Sequence, residues 1–398
     1  MANKNGGFIG TDGLDAPDPP TAVTPTAGDT EVSVAFTAPT DTGTSAITGF
    51  VAQVSTDGTN YSGGSGTGTS SPITVSSLTN GTSYTAKVWA INAYGTSAPS
   101  DASSSFSPVE AVHVLVAGLG DFTNAIDRFN INASSDATDF GDMTVARSAG
   151  AVIGGSTRTI FCGGRDGSSQ YNTMDFVNPA SAGNATDFGD MTAAKQIPAA
   201  SGSSTRGLLA GGEGGGSTNV IEFITIASAG NASDFGDLDE PLIMVAGLSS
   251  PTRSVTTGGG SNNGSYRNTI QYVTIASAGN ASDFGDLTEG KSNHASCSNS
   301  TRGLTAAGFN GSSHSNVIDY ITIASTGNAT DFGDLTSTLG NLTRGAASST
   351  KAIFFKSRTN MNIVTIATTG NGTDFIDLTT APQALGPMAG SNGHGGLS

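Results

Sequence analysis

The sequence predicts an all-β protein in two parts, a sandwich followed by a ring of short sheets, and three observations predict it. A tetrad, Asp-Phe-Gly-Asp or a near copy, recurs six times, with its phenylalanines at Phe140, Phe188, Phe235, Phe284, Phe332 and Phe375. The successive spacings are 48, 47, 49, 48 and 43 residues, a period that marks a repeat architecture. The segment before the first copy lacks the tetrad and carries its own alternating apolar runs. Composition agrees, since 56 glycines and only 12% charged residues in a chain of 398 suit tight turns between short strands.

In chain order, residues 1–15 form a polar, glycine-containing arm with no apolar set of its own. Strand-like runs follow at 32–39 and 47–54, then a longer one from Leu78 through Tyr84, Ala86, Val88 and Ala90 to Gly95. Period-two alternation turns Ala86, Val88 and Ala90 to one face and Trp89, the single tryptophan, to the other. The 78–95 stretch is similar to the signature of a fibronectin type III domain, with Phe36 in place of the usual core tryptophan. That resemblance implies a sandwich over residues 16–108, with Leu78 and Tyr84 forming a corner at the end of one strand.

Each repeat reads as four short strands. In the third copy a run opens at Arg206 and ends in Gly211 and Gly212, which can turn the chain with positive φ. The next run, from Asn219 to Ile226, alternates apolar with polar residues, as a half-buried strand does. The tetrad and a run after it, such as 191–200, complete the count. A glycine pair followed by an Asn-x-Ile-acidic-aromatic strand resembles the kelch repeat, with the tetrad phenylalanine in place of the kelch tryptophan. The pair becomes Ala307 and Gly308 in the fifth copy and is lost at Phe355 and Lys356 in the sixth. The resemblance covers residues 109–398 and implies a six-bladed kelch-like β-propeller. It implies no activity.

Register at the two ends predicts closure by N- and C-terminal strands. The first copy begins at His113 without the preceding run, and residues 378–392 can supply that missing strand. Closure leaves no open sheet edge. A basic residue opens the glycine-terminated run in each copy, at His113, Arg158, Arg206, Arg253, Arg302 and Lys351, and is expected to bridge the tetrad aspartates. Asn184, Asn231, Asn280 and Asn328, each four residues before its phenylalanine, sit in Asn-Ala-Ser/Thr sequences. They are expected to be turn residues at home in αL rather than glycosylation sites. The spacing Asn-x-x-Asp-x-x-Asp also invites calcium, but three oxygens fall short of the six to eight that the ion takes, so a capped turn is expected and no metal or other cofactor.

Thirty-two acidic against 16 basic side chains give a formal charge of −16, which disfavours nucleic acid and anionic membrane as partners. No apolar run approaches the ~20 residues of a membrane span and no signal peptide is apparent, so neither membrane insertion nor general secretion is expected. Cys162 and Cys297 fall in different copies and are not expected to pair. Catalytic residues are expected to be none: the four histidines stand at unlike positions, and no Gly-x-Ser-x-Gly, His-Glu-x-x-His or phosphate-loop motif occurs. His113 and His394 mark the two ends that closure joins and are read as polar edge residues.

Function is therefore expected in what differs between copies, the loops after the glycine pairs. Their candidate ligand-binding residues are Tyr171, Asn262, Asn263, Tyr266, Arg267, Asn310 and His314, a set able to hydrogen-bond sugar hydroxyls and stack a ring. Composition and domain order resemble accessory virion proteins of tailed bacteriophages, which decorate tail, baseplate or capsid. That resemblance implies a non-enzymatic virion protein with other virion proteins and host-surface glycans as partners, anchored through residues 1–15 or the sandwich. The competing readings are a propeller glycan hydrolase or lyase, which requires two carboxylates in one cleft, and an intracellular kelch-like protein-interaction adaptor.

Overall fold

The computed structural model describes residues 15–108, 111–118, 122–132, 137–261, 264–340, 343–357, 360–375 and 388–391. Among these the chain is all-β, with no helix. It divides into two compact units, Met1–Ala111 and Val112–Ser398.

The first unit is a sandwich. Thr21–Ala27, Val32–Thr37 and Ile73–Val75 make one sheet, and Gly64–Gly68, Ile47–Ser55, Thr85–Asn92 and Gly95–Thr96 make the other, in those orders. Alternation places Ala86, Val88 and Ala90 in the core with Val32, Val34, Phe36 and Phe50, and the two phenylalanine rings lie 4.8 Å apart. The corner is present: Tyr84 Oη accepts the Thr79 N–H at 3.2 Å. Trp89 is half-buried on the outer face, edge-on to Tyr61 at 6.2 Å. Beyond Thr96 the chain does not pair as a regular strand. Ser97, Ser100 and Ser103 accept the N–H groups of Ala90, Val88 and Ala86 on their side-chain oxygens at 2.9–3.0 Å. Their own N–H groups donate to the carbonyls of the same three residues. A serine every third residue thus satisfies an edge whose backbone groups would otherwise be buried unpaired.

The second unit holds six four-stranded antiparallel sheets. Sheet 3 is typical, with Ala199–Gly202, Arg206–Ala210, Thr218–Thr225 and Ser233–Leu242 in order. Sheets 2, 4, 5 and 6 follow the same plan, beginning at Ala151–Ile153, Ala246–Ser249, Ala295–Ser298 and Arg344–Ala347. Sheet 1 takes three strands from His113–Ala117, Ala125–Asn130 and Thr138–Asp142, and its fourth from Met388–Ser391, which lies within the segment expected to complete it. Six apolar clusters each join two sheets, 1 with 2, 2 with 3 and so on to 5 with 6. The remaining cluster joins sheets 6 and 1, with Ile353 and Met361 against Val114, Phe129 and Ile131. Each tetrad phenylalanine from Phe140 to Phe332 is buried in the cluster its sheet shares with the next, worth about 1.5–3 kcal/mol per ring.

The joints between sheets explain the rest of the tetrad and correct two expectations. Asn184, Asn231, Asn280 and Asn328 do not adopt positive φ. Each side-chain oxygen instead accepts the N–H of the last tetrad aspartate in the sheet before, at 3.0–3.1 Å, as does that of Asn371. The residues on either side add backbone bonds, as when Gly279 and Ala281 donate to the carbonyls of Phe235 and Asp237. The tetrad glycine makes room for this strap. At Gly236, with φ +152, a Cβ would lie 2.3 Å from the Gly279 carbonyl oxygen.

The expected bridges from the repeated arginines to the tetrad aspartates do not form. Arg158, Arg206, Arg253 and Arg302 stack on Phe176, Phe223, Tyr272 and Tyr320 of their own sheets, 4.6–5.0 Å from the ring centroids. Each donates Nη1 to a carbonyl of the next sheet, Ile226, Ile275, Ile323 and Ile366, at 2.8–3.0 Å. The same aromatics stand edge-on to Phe188, Phe235, Phe284 and Phe332. A planar, weakly hydrated guanidinium suits a ring face and a row of carbonyls better than it suits an aspartate held in solvent.

Buried charge pairs form a further set that the sequence reading missed. Arg147 with Asp175, Lys195 with Glu222 and Lys291 with Asp319 close at 2.6–2.8 Å with nearly no exposure. The cation lies five residues after the last tetrad aspartate in each case. Where that position is a buried leucine, Leu242 or Leu339, the acid is replaced by an amide, Gln271 or Asn362. The acid or amide oxygen always accepts the chain entering the sheet, from Thr144, Thr192, Asp239, Thr288 and Thr336.

Candidate functional site

The structure places the candidate loop residues in two groups. Tyr171 belongs to sheet 2 and donates its hydroxyl to Asp166 Oδ2 at 2.7 Å. That bond, with the N–H groups of Ser169 and Ser168, holds the Asp166 carboxyl well below the usual carboxylate range, and Asp166 pushes the Tyr171 phenol up. This loop is an internally closed turn, since Asp166 also caps Ser168 and Ser169. Asn262 and Asn263 lie outside the described residues.

Tyr266, Arg267, Asn310 and His314 come together where the loops of sheets 4 and 5 meet. Tyr266 stands edge-on to Phe309 at 5.4 Å, and Phe309 edge-on to His314 at 5.2 Å. Short bridges from Gly260 to Tyr266 and from Phe309 to His314 hold these hairpins. Asn310 uses its side-chain oxygen to cap Ser312 and Ser313 and donates Nδ2 to Glu289 at 3.1 Å. Burial pushes Glu289 up, but Ser315, Asn310 and the Lys291 charge outweigh it and hold the carboxyl below its ordinary value. Arg267 makes a two-pronged pair with Glu240 of sheet 3, both bonds 2.6 Å, and Glu240 raises its pKa.

This patch offers a half-buried row of three rings beside two carboxyl groups and a fixed guanidinium. It can accept hydroxyl donors on Glu240 and Glu289 and donate from Arg267. Phe309, Glu240 and Glu289 were not singled out from the sequence. Phe309 immediately follows the decayed glycine pair, and the two acids sit three residues past tetrad aspartates, positions that would have pointed to them.

Other groups are engaged elsewhere. Each asparagine oxygen of the calcium spacing accepts a backbone N–H of the preceding sheet. Among the described residues no three His, Cys, Asp or Glu side chains gather as a metal site. Cys162 and Cys297 are free and buried, and burial pushes both thiols up. His394 lies outside the described residues.

Comparison with known proteins identifies the first unit. A model of the fibronectin type III domain matches residues 16–106. The sandwich is therefore a fibronectin type III domain, and the matched residues contain its seven strands and the tyrosine corner. No curated protein compared with the chain matches it.

Proposed function

We propose that the chain is a non-enzymatic accessory protein of a tailed-phage particle, joining a fibronectin type III domain to a closed six-bladed β-propeller that contacts host-surface glycans. The observation that carries this reading is the division of labour within the repeat. Tetrad, strap asparagine and stacked arginine are all engaged in sheet-to-sheet joints, so recognition falls to the loops that differ, foremost Tyr266, Arg267, Asn310 and His314. Support for the ring comes from Met388–Ser391 pairing with His113–Ala117 and from the apolar cluster shared by sheets 6 and 1.

The non-enzymatic reading draws on the same division. The buried acids Asp175, Glu222 and Asp319 are tied to separate cations in separate sheets, not paired in one cleft as glycoside hydrolysis requires. Weak single contacts suffice when many copies sit on one particle, because linked sites bind with multiplied avidity. The test is electron microscopy of intact particles carrying the tagged chain, with and without residues 1–15. The full chain is expected at discrete sites on the virion and the truncated chain is expected to be missing. Full-length chain found only in the soluble fraction rejects the virion role, and normal incorporation of the truncated chain rejects the anchor.

A further inference from the structure

The first strands of sheets 2 to 6 surround a cavity of about 80 Å³. Strand registers place Arg344 of sheet 6 where its sisters have alanine, at Ala151, Ala199, Ala246 and Ala295. One residue earlier, His294 of sheet 5 stands where sheets 2 to 4 have Gly150, Pro198 and Val245. All of these line the cavity. Alanine closes this position four times, so the fold itself does not call for an arginine.

Arg344 is half-buried and differs from the fully buried cations. Arg147, Lys195 and Lys291 each hold a carboxylate within 2.8 Å. Arg344 donates Nη1 to the Thr343 carbonyl at 2.9 Å and has no ion-pair partner among the described residues. Burial alone lowers its pKa to about 10. His294 is 2% exposed, with Nε2 2.9 Å from Thr257 Oγ1 and Nδ1 without a hydrogen-bond partner among the described residues. Arg344 thus lines the cavity half-buried, with no carboxylate beside it among the described residues, and an anion there would meet both its guanidinium and the unpartnered His294 ring nitrogen.

We propose that this cavity is a binding site for one oxyanion group, a carboxylate or a phosphate, held by the Arg344 guanidinium with His294 as second polar contact. A guanidinium fork matches two oxygens of either head. The volume is enough for a single acidic head.

The experiment titrates inorganic phosphate and acetate separately into the full chain by calorimetry, with sodium chloride at matched ionic strength as the blank. Wild type is expected to bind at least one of them saturably, with affinity at least tenfold weaker in Arg344→Ala and reduced in His294→Gln. Arg344→Ala installs the residue that four sister sheets already use, and its circular dichroism checks the fold; Arg344→Gln serves if it aggregates. No saturable heat with either anion, or unchanged affinity in the folded Arg344 variant, overturns the site. A short peptide with one glutamate is the third titrant. Tighter binding than acetate assigns the head to an acidic side chain of another protein, and equal or weaker binding assigns it to a free ion.

Discussion

Asn280 accepts the backbone N–H of Asp237 on its side-chain oxygen at 3.1 Å, across the joint between sheets 3 and 4. The residue between Phe235 and Asp237 is a glycine because the strap carrying Asn280 lies against it. Two residues far apart in the chain are thus one structural unit, repeated at five joints.

Gly236→Ala and Asn280→Ala should therefore differ sharply. The first places a methyl 2.3 Å from a backbone oxygen at φ +152, so both strap and strand must shift, and a loss above about 2 kcal/mol is expected. The second removes one solvent-edge hydrogen bond and should cost about 0.5–1.5 kcal/mol. Urea unfolding of both variants decides this. Equal losses would mean that the strap does not press on the glycine.

The exchange of the pair Lys195 and Glu222 for the pair Leu242 and Gln271 in the next repeat predicts how the buried pairs respond to substitution. Lys195→Leu or Glu222→Gln alone leaves a buried charge unpaired and should cost about 3–5 kcal/mol. The double variant copies the next repeat and should lie within about 1 kcal/mol of wild type. A double-mutant cycle measures the coupling, and additive losses would sink the idea that acid and cation change together.

Features set by local pattern were legible in the sequence, and those set by distant partners were not. Ala86, Val88 and Ala90 announce their face through period two, and the tetrad phenylalanines announce a buried position through recurrence. Arg206 could be seen to recur, yet its partners are an aromatic on the neighbouring strand and carbonyls 69 and 70 residues away, which no spacing encodes. Ser97, Ser100 and Ser103 have a period of three, matching neither strand nor helix. Lys195 and Lys291 sit in loops and read as solvated until packing closes over them. In the candidate site Tyr266 and His314 meet through Phe309, a neighbour that composition alone did not mark.

Arg206→Ala should lower stability by about 1–2 kcal/mol through the lost ring contact and two carbonyl bonds. The loss should change little between 0.05 and ~0.5 M salt, because neither partner is an ion; a surface ion pair would fade as the Debye length shortens. Melting curves at the two salt concentrations separate the cases. A salt-dependent loss would restore the aspartate bridge.

Ser100→Ala tests the serine edge of the sandwich. It leaves the buried Val88 N–H without its acceptor and should destabilise that domain by about 1–3 kcal/mol. Trp89 is the single tryptophan and belongs to this domain, so its fluorescence reports the transition without contribution from the second unit. An unchanged midpoint would show that water replaces the hydroxyl.

His294 makes the second unit acid-sensitive in a defined window. Burial, then the Lys291 charge, outweigh the Thr257 hydrogen bond, and with the Arg344 charge bring its pKa from the ordinary 6.5 to about 3. The folded state thus holds the ring neutral while the unfolded chain protonates it. Its contribution is fully present above pH 6.5 and is lost as pH falls toward about 3. The slope is at most about 1.4 kcal/mol per pH unit, one proton's worth. Carboxylates titrate in the same range, so the comparison is between wild type and His294→Gln, measured by urea unfolding at successive pH values. The two stability curves should run parallel above pH 7 and converge below pH 6, with the variant losing less. Curves that stay parallel down to pH 4 would mean that the ring is already charged in the native protein, or that it titrates equally in both states.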